Sequence, residues 1–318
     1  MSSMHDGLEG LLSAVHRLTA QRTGTPVCGT TGHGAGHVCL VPPEWAALPG
    51  IEEAIASRFG EPLRLVTGGT AEAAGAAAGL PLLTPFGERV VEMRAWAYGD
   101  RWIGCGTAGT GDADGDVRPV VLVAEREDPA AGAGPPATWV DGIVTVTGWE
   151  TARARAVDWP AVEGRLGTPL PGDYKRLVEI FGGAGAFDGY LQLEVPDAHD
   201  RSSDLVRHTE WLGEWARTHD SRLWEPYPVY PAPGGLLQWA STEQADEFYW
   251  LTGDPDPDRW PVLAKEEVPD SWERFEGTTG EFVHRMLTEP DHPFSTARWF
   301  DVHWYQDYGP AASDGGGD

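Results

Sequence analysis

The sequence predicts an α+β protein of two domains: an N-terminal α+β domain over residues 1–150, a second α+β domain over 151–308, and a disordered tail at 309–318. Three observations carry this expectation. The chain has 318 residues, enough for two domains of ~100–200 residues each. Amphipathic helical stretches are mixed with short alternating strands, without the regular strand–helix repeat of a parallel sheet. The 41 glycines and 26 prolines supply turns for many short elements. With 41% apolar residues, 23% charged residues and 15 tryptophans, the composition is that of a chain that buries a core.

Taken in order, Leu8, Leu11, Leu12, Val15 and Leu18 recur at helical spacing and predict a helix over 4–20. A Gly/Thr/His-rich stretch follows from Thr23 to Gly36, then a strand over 37–41 ending at Pro42-Pro43. Ile51, Ala54, Ile55 and Phe59 mark a helix over 50–59, followed by a strand at 62–66 and an alanine-rich helix near 70–78. Strands at 89–98 and 101–105 flank the Gly99-Asp100 turn, with a further strand at 118–125. Residues 127–137 have linker composition, and the β-branched run at 138–147 predicts one more strand.

The second half predicts helices at 159–166 and 170–183. In the latter, Tyr174, Leu177, Val178 and Phe181 share a face, Pro171 opens the helix and Gly182-Gly183 closes it. A strand is expected over 186–193 and a helix over 203–218, with Leu205, Trp211, Leu212 and Trp215 inward. Strands are expected at 227–231, 235–240, 246–252 and 260–264, and a last helix at 278–287.

Charge excludes some functions. The net charge is −26, of which residues 151–318 contribute −17. Nucleic-acid binding rests on Lys and Arg neutralising phosphates, so neither nucleic acid nor an anionic membrane surface is an expected partner. A basic protein would be drawn in quickly. No stretch is long and apolar enough to span a bilayer. The start, MSSMHDGLEG, lacks the basic and apolar regions of a signal peptide, so a cytoplasmic location is expected.

Candidate chemistry is sparse. Cys28, His33, His37 and Cys39 bring four metal-compatible side chains together in CGTTGHGAGHVC, but no CxxC-like pair starts the chelate. The spacing therefore predicts a glycine loop with no metal and no cofactor. Gly104–Gly109 spells GxGxxG but leads into a turn-rich segment instead of a helix. Gly68-Gly69-Thr70 lacks a phosphate-binding lysine. Asp112/Asp114/Asp116 and Asp254/Asp256/Asp258 lack the glycine and glutamate of a calcium loop. No GxSxG, HExxH or SxxK motif occurs, and no catalytic residue is nominated.

One set of pieces carries a resemblance. The Trp159 helix, LGTPLPGDYKRLVEIFGGAGAFDGYLQLEVP from Leu166, GGLLQWAS from Gly234, DEFYWL from Asp246 and WERFEGTTGEFVHRML from Trp272 occur in an order that resembles the SUKH superfamily over roughly residues 155–290. That family includes a yeast regulator of cell-wall synthesis and many bacterial immunity proteins. Residues 1–150 resemble no family we can name. The resemblance implies helices on a mostly antiparallel sheet. It gives Trp159, Leu170, Pro171, Tyr174, Gly182, Gly183, Phe187 and Trp239 structural roles, with no cofactor and no catalytic set. It further implies a non-enzymatic protein-binding module, immunity- or antitoxin-like, that covers a basic, nuclease-type toxin. Glu243, Asp246, Glu247, Asp254, Asp256 and Asp258, interleaved with Tyr249 and Trp250, are the candidate contact surface. A regulatory or scaffolding protein without a toxin is the alternative. An enzyme with its site in the first domain is a third possibility, which a pocket at Gly68–Thr70 or at the His33/His37 loop would favour.

Overall fold

A computed structural model describes residues 2–21, 24–44, 46–71, 80–109, 116–149, 155–219, 222–266 and 271–309. The fold is α+β, with two antiparallel sheets. The chain forms two compact units, Met1–Ala131 with Phe300–Gln306, and Gly132–Trp299 with Asp307–Asp318. The division thus falls near 131/132, where the sequence suggested 150/151.

The first unit contains α1 (Ser2–Ala20), β1 (His37–Leu40), α2 (Leu48–Phe59), β2 (Leu63–Thr67), β3 (Thr70–Ala71), α3 (Leu80–Leu83), β4 (Val90–Tyr98), β5 (Arg101–Gly109) and β6 (Val117–Glu125). Its sheet runs β1-β6-β5-β4-β2-β3. Strand alternation separates two cores. Ile103, Cys105, Val121 and Val123 face Leu11, Leu12 and Val15 of α1 and Ile51, Ile55 and Phe59 of α2. Trp102, Leu122 and Ala124 face the opposite way, with Leu65, Met93 and Leu82. The 89–98/101–105 hairpin is present, and β5 continues to Gly109. The GxGxxG text therefore lies in a strand, with no helix start to receive a pyrophosphate. The alanine-rich helix expected near 70–78 falls mostly outside the described residues, and Thr70–Ala71 is strand. Residues 300–306 return to this unit: Arg126 donates to the carbonyls of Gly99 and His303, both at 2.9 Å.

The second unit contains α4 (Trp139–Thr147), α5 (Trp159–Leu166), α6 (Gly172–Phe181), β7 (Gly185–Phe187), β8 (Leu191–Leu193), α7 (Leu205–Thr218), β9 (Leu236–Thr242), β10 (Glu247–Leu251), β11 (Val262–Glu266), β12 (Ser271–Phe275) and α8 (Thr279–Thr288). Within this unit the sheet runs β12-β11-β10-β9-β8-β7.

Three expected strands are corrected. Residues 138–147 form helix α4, because Thr138 caps it, its hydroxyl accepting from Asp141 N at 3.1 Å, and left-handed Gly148 (φ 62) ends it. These signals outweigh the β-branched run, and α4 closes on α8 at Gly142, where an added Cβ would lie 2.5 Å from His284. The strand expected over 186–193 is a hairpin, turning at Asp188 (φ 54) and Gly189 (φ 64). Residues 227–231 form no strand, only an isolated bridge between Val229 and Leu236. Strand β12 had no counterpart in the sequence reading.

Candidate metal centre and acidic sheet end

Cys28, His33, His37 and Cys39 converge. Residues 24–36 fold back on themselves through the Val27/Ala35 bridge, a turn closed by His33 N on Thr30 O (3.1 Å), and Gly36 N on Pro26 O (2.8 Å). This returns Cys28 to the start of β1. His37 and Cys39 are alternate residues of β1, paired with Ala124 and Leu122 of β6, so they share one face of the strand. His33 Nδ1 lies 3.6 Å from Cys28 Sγ, 3.4 Å from Cys39 Sγ and 3.2 Å from His37 Nε2. The four ligand atoms all fall within 4.8 Å of one another. The spacing along the chain did not announce this convergence, which the i, i+2 pair His37/Cys39 on β1 and the return of residues 24–36 produce.

The electrostatics of the cluster are uneven. Burial raises the Cys28 thiol, but hydrogen bonds from the Thr30 hydroxyl and backbone and from Cys39 outweigh it, bringing the thiol down to about 6. Burial and the neighbouring Cys28 push Cys39 up to about 12. Burial and the nearby His33 lower His37. Two thiols and two imidazoles are the donor type that holds zinc. A cavity of about 370 Å³ adjoins the cluster, with His33, His37, Glu125 and Glu127 in its wall.

The two aromatics of the contact surface suggested by the sequence do not lie on the surface. Tyr249 and Trp250 have no exposed surface. Strand β10 is central, and Trp250 faces Tyr174 (rings 4.8 Å apart) while Tyr249 points to the other side, against Leu212, Trp224 and Leu263. Several of the carboxylates serve local structure. Asp254 and Asp256 accept from the backbone N–H groups of Asp256 and Asp258, and Asp258 accepts from Gly172 N at the start of α6. Asp246 accepts from Tyr190 OH (3.2 Å) and Thr242 Oγ1 (3.0 Å), and Glu247 accepts from Tyr249 OH (2.7 Å). Glu243 is exposed.

A different acidic grouping emerges at the same end of the sheet. Glu247 pairs with Lys265, which places the preceding Asp246 opposite Glu266; Glu266 pairs with Ser271, which places Glu273 diagonally beside it. Burial and these two like charges raise the Glu266 carboxyl above its ordinary value. Neither Glu266 nor Glu273 was singled out in the sequence. The register of β11 against β12 brings them together, and no local motif announces it.

Of the positions carrying the family resemblance, Trp159, Leu170, Pro171, Tyr174, Phe187 and Trp239 are buried, and Gly182 and Gly183 end α6. Beneath them lies a polar pair the sequence reading missed: Glu194 is buried, with His208 Nδ1 3.0 Å from its Oε1. No helix among the described residues is long and apolar enough to cross a membrane. Comparison of the chain with protein-family models, with curated proteins and with solved structures finds no match.

Proposed function

We propose that the chain is a non-enzymatic protein-binding module of the immunity or antitoxin kind, acting in the cytoplasm. Its second unit would cover a basic toxin with the acidic end of its sheet. The observation that carries this reading is the placement of Asp246, Glu266 and Glu273 side by side on paired strands. Like charges directly opposite one another destabilise a sheet, and a cationic partner relieves that repulsion while the −17 charge of residues 151–318 speeds its approach. The ordered pieces that resemble the SUKH superfamily support the same reading; their apolar members lie in the core. The test uses purified products of neighbouring genes, in binding and toxin-inhibition assays. The double variant Glu266→Gln/Glu273→Gln is expected to slow association about tenfold at low salt. If no neighbouring product binds or is inhibited, the proposal fails.

A second reading, an enzyme with its site in the first unit, is favoured by the cavity beside His33 and His37. Turnover of a small-molecule substrate that Glu125→Gln or Glu127→Gln abolishes would establish it.

A further inference from the structure

We propose that Cys28, His33, His37 and Cys39 form a closed, tetrahedral zinc site that ties residues 24–36 to β1. This inference is independent of the protein-binding reading. Zinc bonds of about 2.0–2.3 Å set neighbouring ligand atoms of a tetrahedron about 3.3–3.8 Å apart. The separations of 3.6, 3.4 and 3.2 Å from His33 Nδ1 are close to that scale, and no pair of the four atoms is more than 4.8 Å apart, so small side-chain movements bring them onto one ion.

Hydrogen bonding by His33 does not account for its three close neighbours. His33 Nδ1 is the near neighbour of two sulfurs and another ring nitrogen, yet one imidazole nitrogen carries either a single proton or a single lone pair. It serves one partner, and the other approaches stay unserved. A cation at the centre satisfies all four donor atoms at once.

The surroundings are those of a ligand shell. The Cys28 sulfur receives hydrogen bonds from the Thr30 hydroxyl and backbone, and the His37 ring hydrogen-bonds the Ala35 backbone. Such contacts orient thiolate and imidazole ligands toward an ion. Beyond its backbone hydrogen bonds and the edge contact of His33 with Phe86, the segment has little to hold it. None of residues 24–36 is buried, and Val27 is 72% exposed. Ordering a glycine-rich loop costs conformational entropy that little apolar packing here offsets.

The donor set selects the metal and its role. Two sulfurs and two imidazole nitrogens suit zinc, whereas magnesium and calcium take oxygen ligands. Four protein ligands leave no open position, so the ion is structural and activates no water for the adjacent cavity.

The test is metal analysis of the full chain purified without chelator under reducing conditions. About one zinc per chain is expected. Replacement by cobalt should give the strong visible bands of a tetrahedral, thiolate-bound ion. Cys28→Ser and His33→Gln should lose the metal, while Glu127→Gln, in the cavity wall, should retain it. A strong chelator should lower the melting temperature of the wild-type protein, and added zinc should restore it. Titration of the wild-type chain with cobalt decides the matter even if a variant fails to fold. Metal-free protein whose melting temperature ignores added zinc overturns the proposal, as does a Cys28–Cys39 disulfide in the purified chain. Weak bands of a five- or six-coordinate ion overturn the closed arrangement.

Discussion

Trp250 packs between Tyr174, Trp239 and Trp260 with no exposed surface, and its indole N–H donates to Thr279 Oγ1 at 2.9 Å. Truncating a buried aromatic of this size leaves both a cavity and an unpaired hydroxyl. Trp250→Ala is thus expected to cost about 3–5 kcal/mol in a urea unfolding experiment; a cost below about 0.5 kcal/mol would mean the ring faces solvent after all. At the buried Glu194–His208 pair, burial opposes the imidazolium, but the Glu194 carboxylate outweighs it and raises His208 above its ordinary value. Burial likewise raises Glu194, against the pull of His208. A raised histidine contributes stability that is fully present below about pH 6.5 and lost as pH rises through the folded value. Unfolding free energy should therefore decline on the alkaline side of pH 6.5, and His208→Gln should flatten that decline. An unchanged slope in the variant would place the pH dependence elsewhere.

Among the elements, the β4–β5 pair and helix α5 make opposite predictions for the same substitution. Gly106 lies against the irregularity in β4 between Val90 and Glu92, and a Cβ there would sit 2.0 Å from Glu92 O, a backbone atom that moves only with its strand. Gly106→Ala should lower the melting temperature markedly. Gly164 in α5 has open space around the Cβ position, so Gly164→Ala should stabilise by about 0.5–1 kcal/mol through helix propensity. Differential scanning calorimetry of both variants reads the two signs directly. Helices α1, α2, α5, α6, α7 and α8 were legible because each carries a clear apolar stripe. For α4 the residue types misled while its capping signals, Thr138, Asp141 and Gly148, were present in the sequence. Strand β10 was legible as a strand but not as a central one: charges flank the apolar run Phe248–Leu251, and such a run fits a buried strand as readily as an aromatic contact face.

For the whole molecule, the net charge of −26 implies self-repulsion in the folded state. Raising salt from about 0.01 to about 0.1 M shortens the screening length from about 30 to about 10 Å, so the melting temperature should rise over that range. A fall would show that specific ion pairs dominate over the net field. The sequence by itself determined the α+β class, most helices, the hairpin of the first unit and the acidity that disfavours nucleic-acid partners. Each of these follows from local periodicity or from a sum over residues. Only the tertiary structure decided that Cys28, His33, His37 and Cys39 meet, that Asp246, Glu266 and Glu273 stand together, and that Tyr249 and Trp250 lie inside. Those facts depend on strand register and loop return, which bring residues distant along the chain within a few ångströms and leave no mark on the spacing of any one segment.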